Sequence, residues 1–174
     1  MAMSGPVQLF LDPTQATNLN DLSPRSVPGA EVDFGGARYI YVKHNQGAGA
    51  VVTANGTAAY WKDRAAGEVS ADKTENQLGA ALGMGCAGIY QGVVTNGYYT
   101  WLQKRGVRAA VLILAGDGAG AVGNKIFPQI TDADTGLRSE ADSSIAASEI
   151  PAQLVGRQLA AAVAAACTVD LMII

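Results

Sequence analysis

The apolar residues of this 174-residue chain fall in short runs separated by Gly and Asn-Gly steps, and few recur at helical spacing. Alternation over Arg38 to Lys43 predicts a strand with Tyr39, Tyr41 and Lys43 on one face and Ile40 and Val42 on the other. Ala50 to Trp61 turns at Asn55-Gly56 and predicts a hairpin, with Val51 and Val52 facing Ala59, Tyr60 and Trp61. The strongest pattern runs from Cys86 to Gly116. It reads as two strands joined at Asn96-Gly97 and a third reached through Lys104, Arg105 and Gly106, because Asn-Gly tolerates the positive φ of a tight turn. Tyr98, Tyr99, Trp101 and Leu102 supply bulk that suits a pleated surface. Glycines at 79, 83, 85, 88 and 92 predict a bent, closely packed strand entering this meander.

The remaining segments are less regular. Lys62 to Asn76 is charged and reads as a solvated connection, with a weak signal for a short helix between Ala71 and Leu78. Lys125 to Phe127 predicts a short strand before Pro128, and 129–149 a long polar loop of the kind that is functional or flexible. The end of the chain reads as strand, small-residue turn or short helix, and strand. Alanine-rich Gln158 to Ala166 favours helix, whereas Thr168 to Ile174 is strand-like. Residues 1–30 differ from the rest: Pro6, Pro13, Pro24 and Pro28 interrupt Asn-, Asp-, Ser- and Thr-rich segments. They read either as a disordered tail or as an arm laid on a neighbouring subunit, with Val7, Leu9, Phe10 and Leu11 available for strand addition. The expected fold is mainly β: an antiparallel β-barrel or sandwich with short helices. Residues 1–30 form an extended N-terminal arm and residues 31–174 a β-rich body.

Composition sharpens this picture. The hydrophobic fraction is 49%, but much of it is alanine, and 21 glycines accompany it, so each core position buries little area. Such a chain gains from assembly. A net charge of −3 with scattered Lys and Arg argues against a nucleic-acid partner. No apolar run reaches the roughly 18 residues of a membrane span, and Met1 to Gly5 has no leader character. The expectation is a protein made in the cytoplasm. Cys86 and Cys167 both lie in apolar surroundings and read as buried free thiols, with a disulfide between them left open.

The search for chemistry yields no catalytic, cofactor or metal site, and the chain is expected not to be an enzyme. His44, the only histidine, follows a strand and precedes Asn45-Gln46-Gly47, and reads as a surface loop residue. One histidine supports neither a Ser-His-Asp arrangement nor a multi-histidine metal site. Asp132, Asp134 and Gly136 resemble the start of a calcium loop, but glycine comes fifth and Ser143 stands twelfth, so a solvated acidic loop is the better reading. Gly116 to Gly120 lacks the Gly-Lys-Ser/Thr of a phosphate loop and reads as a turn. Nothing favours one carboxylate pair among Glu68, Asp72, Glu75 and Asp117. Trp61, Tyr60, Tyr90, Tyr98, Tyr99 and Trp101 read as core and cross-strand partners rather than a sugar-stacking platform.

One resemblance rests on the order of pieces in the C-terminal half. Cys86 to Val94 is a glycine-rich strand. Gly97-Tyr-Tyr-Thr-Trp-Leu-Gln-Lys-Arg-Gly106 is a Gly-aromatic strand ending in a Trp-x-Gln step and Gly, and Val107 to Leu114 is an apolar strand. Ala115 to Gly123 turns, Gln129 to Pro151 is polar, and Leu154-Val-Gly-Arg-Gln-Leu-Ala160 precedes the final strand Val169 to Ile174. This order resembles the small β-rich head decoration (cement) proteins encoded beside the major capsid protein in many tailed bacteriophages; residues 1–76 are not covered. The resemblance implies a structural virion protein on the outer capsid surface, often a homotrimer, whose partner is the major capsid protein and which clamps neighbouring capsomers. Val7, Leu9, Phe10 and Leu11 are then the candidate capsid or subunit contacts. The alternatives are another phage structural component, such as a tail, fibre or minor capsid subunit, and a carbohydrate-binding β-sandwich module.

Overall fold

Short β-rich runs have only one way to satisfy their backbone groups, which is to pair with one another. They do so here in twelve strands: β1 (Glu31–Phe34), β2 (Ala37–His44), β3 (Val52–Thr53), β4 (Ala58–Asp63), β5 (Glu68–Ser70), β6 (Cys86–Tyr90), β7 (Val94–Thr95), β8 (Tyr99–Leu112), β9 (Lys125–Phe127), β10 (Arg138–Glu140), β11 (Gly156–Gln158) and β12 (Ala166–Met172). The structure, a computed structural model, describes residues 12–46, 52–72, 85–113, 121–128, 137–140, 154–161, 163 and 166–174.

Five strands close into a barrel: β2 pairs with β8, β8 with β6, β6 with β4, β4 with β5, and β5 returns to β2. Four of these contacts are antiparallel. The fifth, between β2 and β5, is parallel and rests on two registered pairs, Lys43 with Glu68 and His44 with Val69. Each ring strand sends side chains inward: Ile40 and Val42 from β2, Val69 from β5, Ala59 and Trp61 from β4, Ala87 and Tyr90 from β6, and Leu102 from β8. A five-strand interior is narrow, and the mixture of Ala and Val with Trp and Tyr fills it.

The strand expected to break at Lys104 to Gly106 does not break. β8 is a single 14-residue strand with a left-handed residue in the middle, Gly106 at φ 88°. Gln103 holds the irregularity, its side-chain amide donating to the carbonyls of Arg105, Gly106 and Val107 at 3.2, 3.3 and 3.1 Å. Up to Arg105 the strand belongs to the barrel. From Arg105 onward it pairs with β12, which leads through β11 and β9 to β10. A bridge from Ile113 to Leu137 brings the far end of this outer sheet back to β8. The outer sheet encloses Val111, Ile113, Ile126, Leu137, Val155, Cys167, Val169, Leu171 and Ile173 against Ala58, Tyr60, Cys86 and Ile89. Strands β4 and β6 thus alternate between two cores, Ala58 and Tyr60 outward, Ala59 and Trp61 inward.

Several expectations are corrected. Both Asn-Gly turns exist, but neither closes a two-strand hairpin. The strands flanking Asn55-Gly56 part: β4 joins the barrel, whereas β3 pairs with β7, the short strand before Asn96-Gly97. The connection expected over Lys62 to Asn76 contains the hairpin from β4 to β5, and the polar stretch 129–149 contains β10. Among the described residues the only helix is a 3-10 turn, Ala16–Asn18. The end of the chain does supply the two expected strands, with β11 and β12 paired antiparallel. The helix expected over 71–78 lies largely outside the described residues.

Candidate functional site

The predicted contact residues Val7, Leu9, Phe10 and Leu11 lie outside the described residues. The adjoining segment, residues 12–30, is fixed to its own body. Asp21 and Tyr99 exchange backbone hydrogen bonds of 3.0 and 2.7 Å. Asn20 caps the neighbouring strand, accepting from the Thr95 amide at 2.9 Å and donating to Thr95 Oγ1 at 3.2 Å. The Arg25 amide donates to the Tyr41 hydroxyl at 3.0 Å, Arg25 pairs with Asp21 at 2.9 Å, and Gln91 donates to the Pro13 carbonyl at 2.9 Å. Leu19 completes a third apolar cluster on the outside of the barrel with Tyr39, Tyr41 and Trp101. Residues 12–30 are therefore not a free arm.

A second feature is the solvent face of the outer sheet. Residues in register share a face, as do residues two apart on one strand. Arg105 opposes Met172 and Val107 opposes Asp170; Asp170 opposes Arg157, which in turn opposes Lys125. All six lie on one face, opposite buried Val169, Leu171 and Ile126. Val107 is 62% exposed there, and Ile174, just beyond β12, is 84% exposed. Elsewhere several basic side chains are neutralised, among them Arg38 by Asp33, Lys43 by Glu68 and Lys104 by Glu31. The side chains of Arg105 and Arg157, both exposed, make no hydrogen bond or ion pair among the described residues. The face therefore offers exposed apolar surface beside two uncommitted guanidinium groups. Sequence reasoning missed it because strand register decides which side chains share that face.

The third feature corrects a prediction. His44 is no loop residue: it ends β2 and is fully buried. Continuing the alternation of Ile40 and Val42 by one step puts its side chain in the barrel, and that parity was the signal available in the sequence. Its Nδ1 lies 2.7 Å from the Tyr90 hydroxyl with the rings edge-on at 89°, and its Nε2 meets no partner among the described residues. Burial pushes its pKa down to about 4 and holds the Tyr90 phenol well above its usual range, so both are neutral near pH 7.

The remaining candidate chemistry does not converge. The aromatic residues weighed as a sugar platform are largely interior: Tyr60, Tyr90, Trp61 and Trp101 are all buried. Cys86 and Cys167 are buried and form no disulfide, their thiols pushed up by desolvation to about 12 and about 11. Glu68 accepts from Lys43 and Asn45, and those bonds keep its carboxyl below the usual range. Glu75, Asp117, Asp132 to Gly136 and Gly116 to Gly120 lie outside the described residues. Among the described residues no three His, Cys, Asp or Glu side chains are placed to hold a metal ion, and no helix is long and apolar enough to cross a membrane. No family model, curated protein or solved structure matches the chain.

Proposed function

We propose that this chain is a structural virion protein of a tailed bacteriophage that binds the outside of the capsid and strengthens contacts between capsomers. The observation that carries the reading is the solvent face of the outer sheet. Exposed Val107 and the half-buried Met172 lie beside Arg105 and Arg157, whose side chains make no ion pair among the described residues. Apolar surface flanked by uncommitted Arg is the composition of a protein-binding patch. The rest of the molecule supports the same reading: two apolar layers sharing β8 make a stiff body, and Asp21 and Asn20 pin residues 12–30 to it. Many modest contacts repeated over a lattice act multivalently, so one patch and one arm per subunit suffice, and a homotrimer triples them.

The test is occupancy on shells assembled from the major capsid protein of the same genome. Unmodified protein saturates expanded shells. The double variant Arg105→Glu, Arg157→Glu loses occupancy at least tenfold while keeping its melting temperature, since both side chains are exposed. Deleting residues 1–11 lowers occupancy further. Shells that never take up the protein, with rings or tubes formed instead, would assign it to a tail; unchanged occupancy in both variants would overturn the capsid reading.

A further inference from the structure

We propose that His44 is a proton-operated latch: charging its imidazole opens the barrel along the seam between β2 and β5 and loosens residues 95–99 together with the N-terminal segment 12–26. The inference is independent of the capsid reading, because it concerns the isolated chain.

The geometry makes His44 the point where three elements meet. Its backbone amide donates to the Tyr98 carbonyl at 2.8 Å, and its carbonyl accepts from Gly97 at 2.8 Å. The next residue, Asn45, donates to the Val69 carbonyl at 2.7 Å, which closes the seam with β5. The stretch beyond Gly97 holds the N-terminal segment from its other side, through the Asp21–Tyr99 pair, with Thr95 bound to Asn20 nearby. One ring therefore sits under both the seam and the staple.

Among the described residues nothing inside the barrel compensates a positive charge. The interior side chains of the other ring strands, Val69, Trp61, Tyr90 and Leu102, are uncharged, and the Tyr90 phenol is the titratable group in contact. Lys43 and Glu68 project from the outer face, where they pair with each other at 3.1 Å. Cys86 faces the second core and stays protonated. On protonation both ring nitrogens donate. Tyr90 can accept from Nδ1, but Nε2 has no acceptor among the described residues. A buried, unpaired charge is relieved at the weakest adjoining contact, and the seam that His44 itself helps to form has two registered pairs and is the one parallel contact of the ring, a pairing slightly less stable per residue than an antiparallel one. The outer sheet, which shares none of these contacts, stays closed.

The experiment is amide hydrogen exchange between pH 7 and pH 4.5, corrected for intrinsic rates, alongside the proton resonance of the single imidazole. The expected result is a loss of protection of about tenfold or more in 42–46, 68–70, 95–99 and 15–26, with 106–112 and 166–172 unchanged. The imidazole titrates below the ordinary histidine range, in step with that loss. His44→Gln, which keeps a hydrogen-bonding side chain without a titrating one, abolishes the pH dependence. A midpoint near the usual 6.5, equal loss in the outer sheet, or the same pH dependence in His44→Gln would overturn the proposal. The resonance needs no variant, so the test survives a glutamine variant that fails to fold.

Discussion

Gly56 and Gly97 each follow an asparagine and share the same left-handed φ of 85°, yet their surroundings differ. A Cβ on Gly97 would meet nothing within 4 Å, whereas one on Gly56 would lie 1.9 Å from the Ala110 carbonyl oxygen. Gly97→Ala is therefore expected to cost only the ordinary left-handed penalty, about 1–2 kcal/mol. Gly56→Ala adds a backbone clash to it and should cost at least about 3 kcal/mol. Urea denaturation of the two variants checks this, and equal losses would refute the docking of that turn on β8. His44 gives a second residue-scale prediction. Its folded pKa lies below its unfolded value, so the unfolded chain binds the proton more tightly between pH 6.5 and about pH 4. Stability is full above pH 6.5 and falls as the pH drops through that window, by up to about 3 kcal/mol. Glu68 also loses a stabilising pair in acid, so the histidine's share is the difference between wild type and His44→Gln in denaturant titrations at pH 7.5 and pH 4.5. At this scale the sequence was half legible. The alternation that sorted Ile40 and Val42 from Tyr39 and Tyr41 also sorts His44, but the polar residues after it suggested a loop one residue too early.

At the scale of elements, local pattern located strands better than it located their partners. β2 and β12 were legible because apolar alternation extends over several residues in each, and β6 because it is a short apolar run punctuated by glycine. The hairpin at Asn55-Gly56 was misread, since a turn specifies a reversal and not that its flanks pair; here Val94 and Thr95 compete successfully for β3. Gly106 looked like a stop, but Gln103 bonded to the following carbonyls lets the strand run on. β10 was hidden in a polar stretch because much of what holds it is itself polar. Ser139 is buried between Asn124, which donates to it at 3.1 Å, and Gln158, whose carbonyl it donates to at 2.8 Å; Gln158 in turn donates to the Ala160 carbonyl at 2.8 Å. This chain ties β10 and β11 to the turn before β9 and places a hydrogen-bonded network where sequence patterning looks for Leu or Val. Ser139→Ala strands two buried polar groups and is expected to cost about 1–3 kcal/mol. Exchange in 137–140 should rise ahead of that in the barrel; a loss spread evenly over both layers would contradict it.

For the molecule as a whole, residues 12–30 lie on the body that they precede. Composition suggested one extended arm over 1–30, because prolines and polar residues look alike whether a segment floats or lies flat in extended form. What fixes 12–30 is tertiary: Leu19 on Trp101 and Tyr41, reciprocal pairing of Asp21 with Tyr99, and the Gly29 amide on the Tyr41 carbonyl at 2.7 Å. Two truncations separate arm from body. Removing residues 1–11 leaves every one of these contacts, so a variant that keeps its melting temperature but binds shells less has lost contacts with the shell. Removing residues 1–26 uncovers the outer cluster; burial of Leu19 alone is worth about 1.5–3 kcal/mol, and the lost hydrogen bonds add to it. The expected loss is about 3 kcal/mol or more in urea denaturation. Trp101, 4% exposed in the intact chain, should shift its emission to the red, while Trp61 inside the barrel should not. Recording the spectrum in a Trp61→Phe background isolates that shift. If the longer truncation melts and emits like the shorter one, residues 12–26 do not hold the barrel's outer face, and the arm begins where the prolines first suggested.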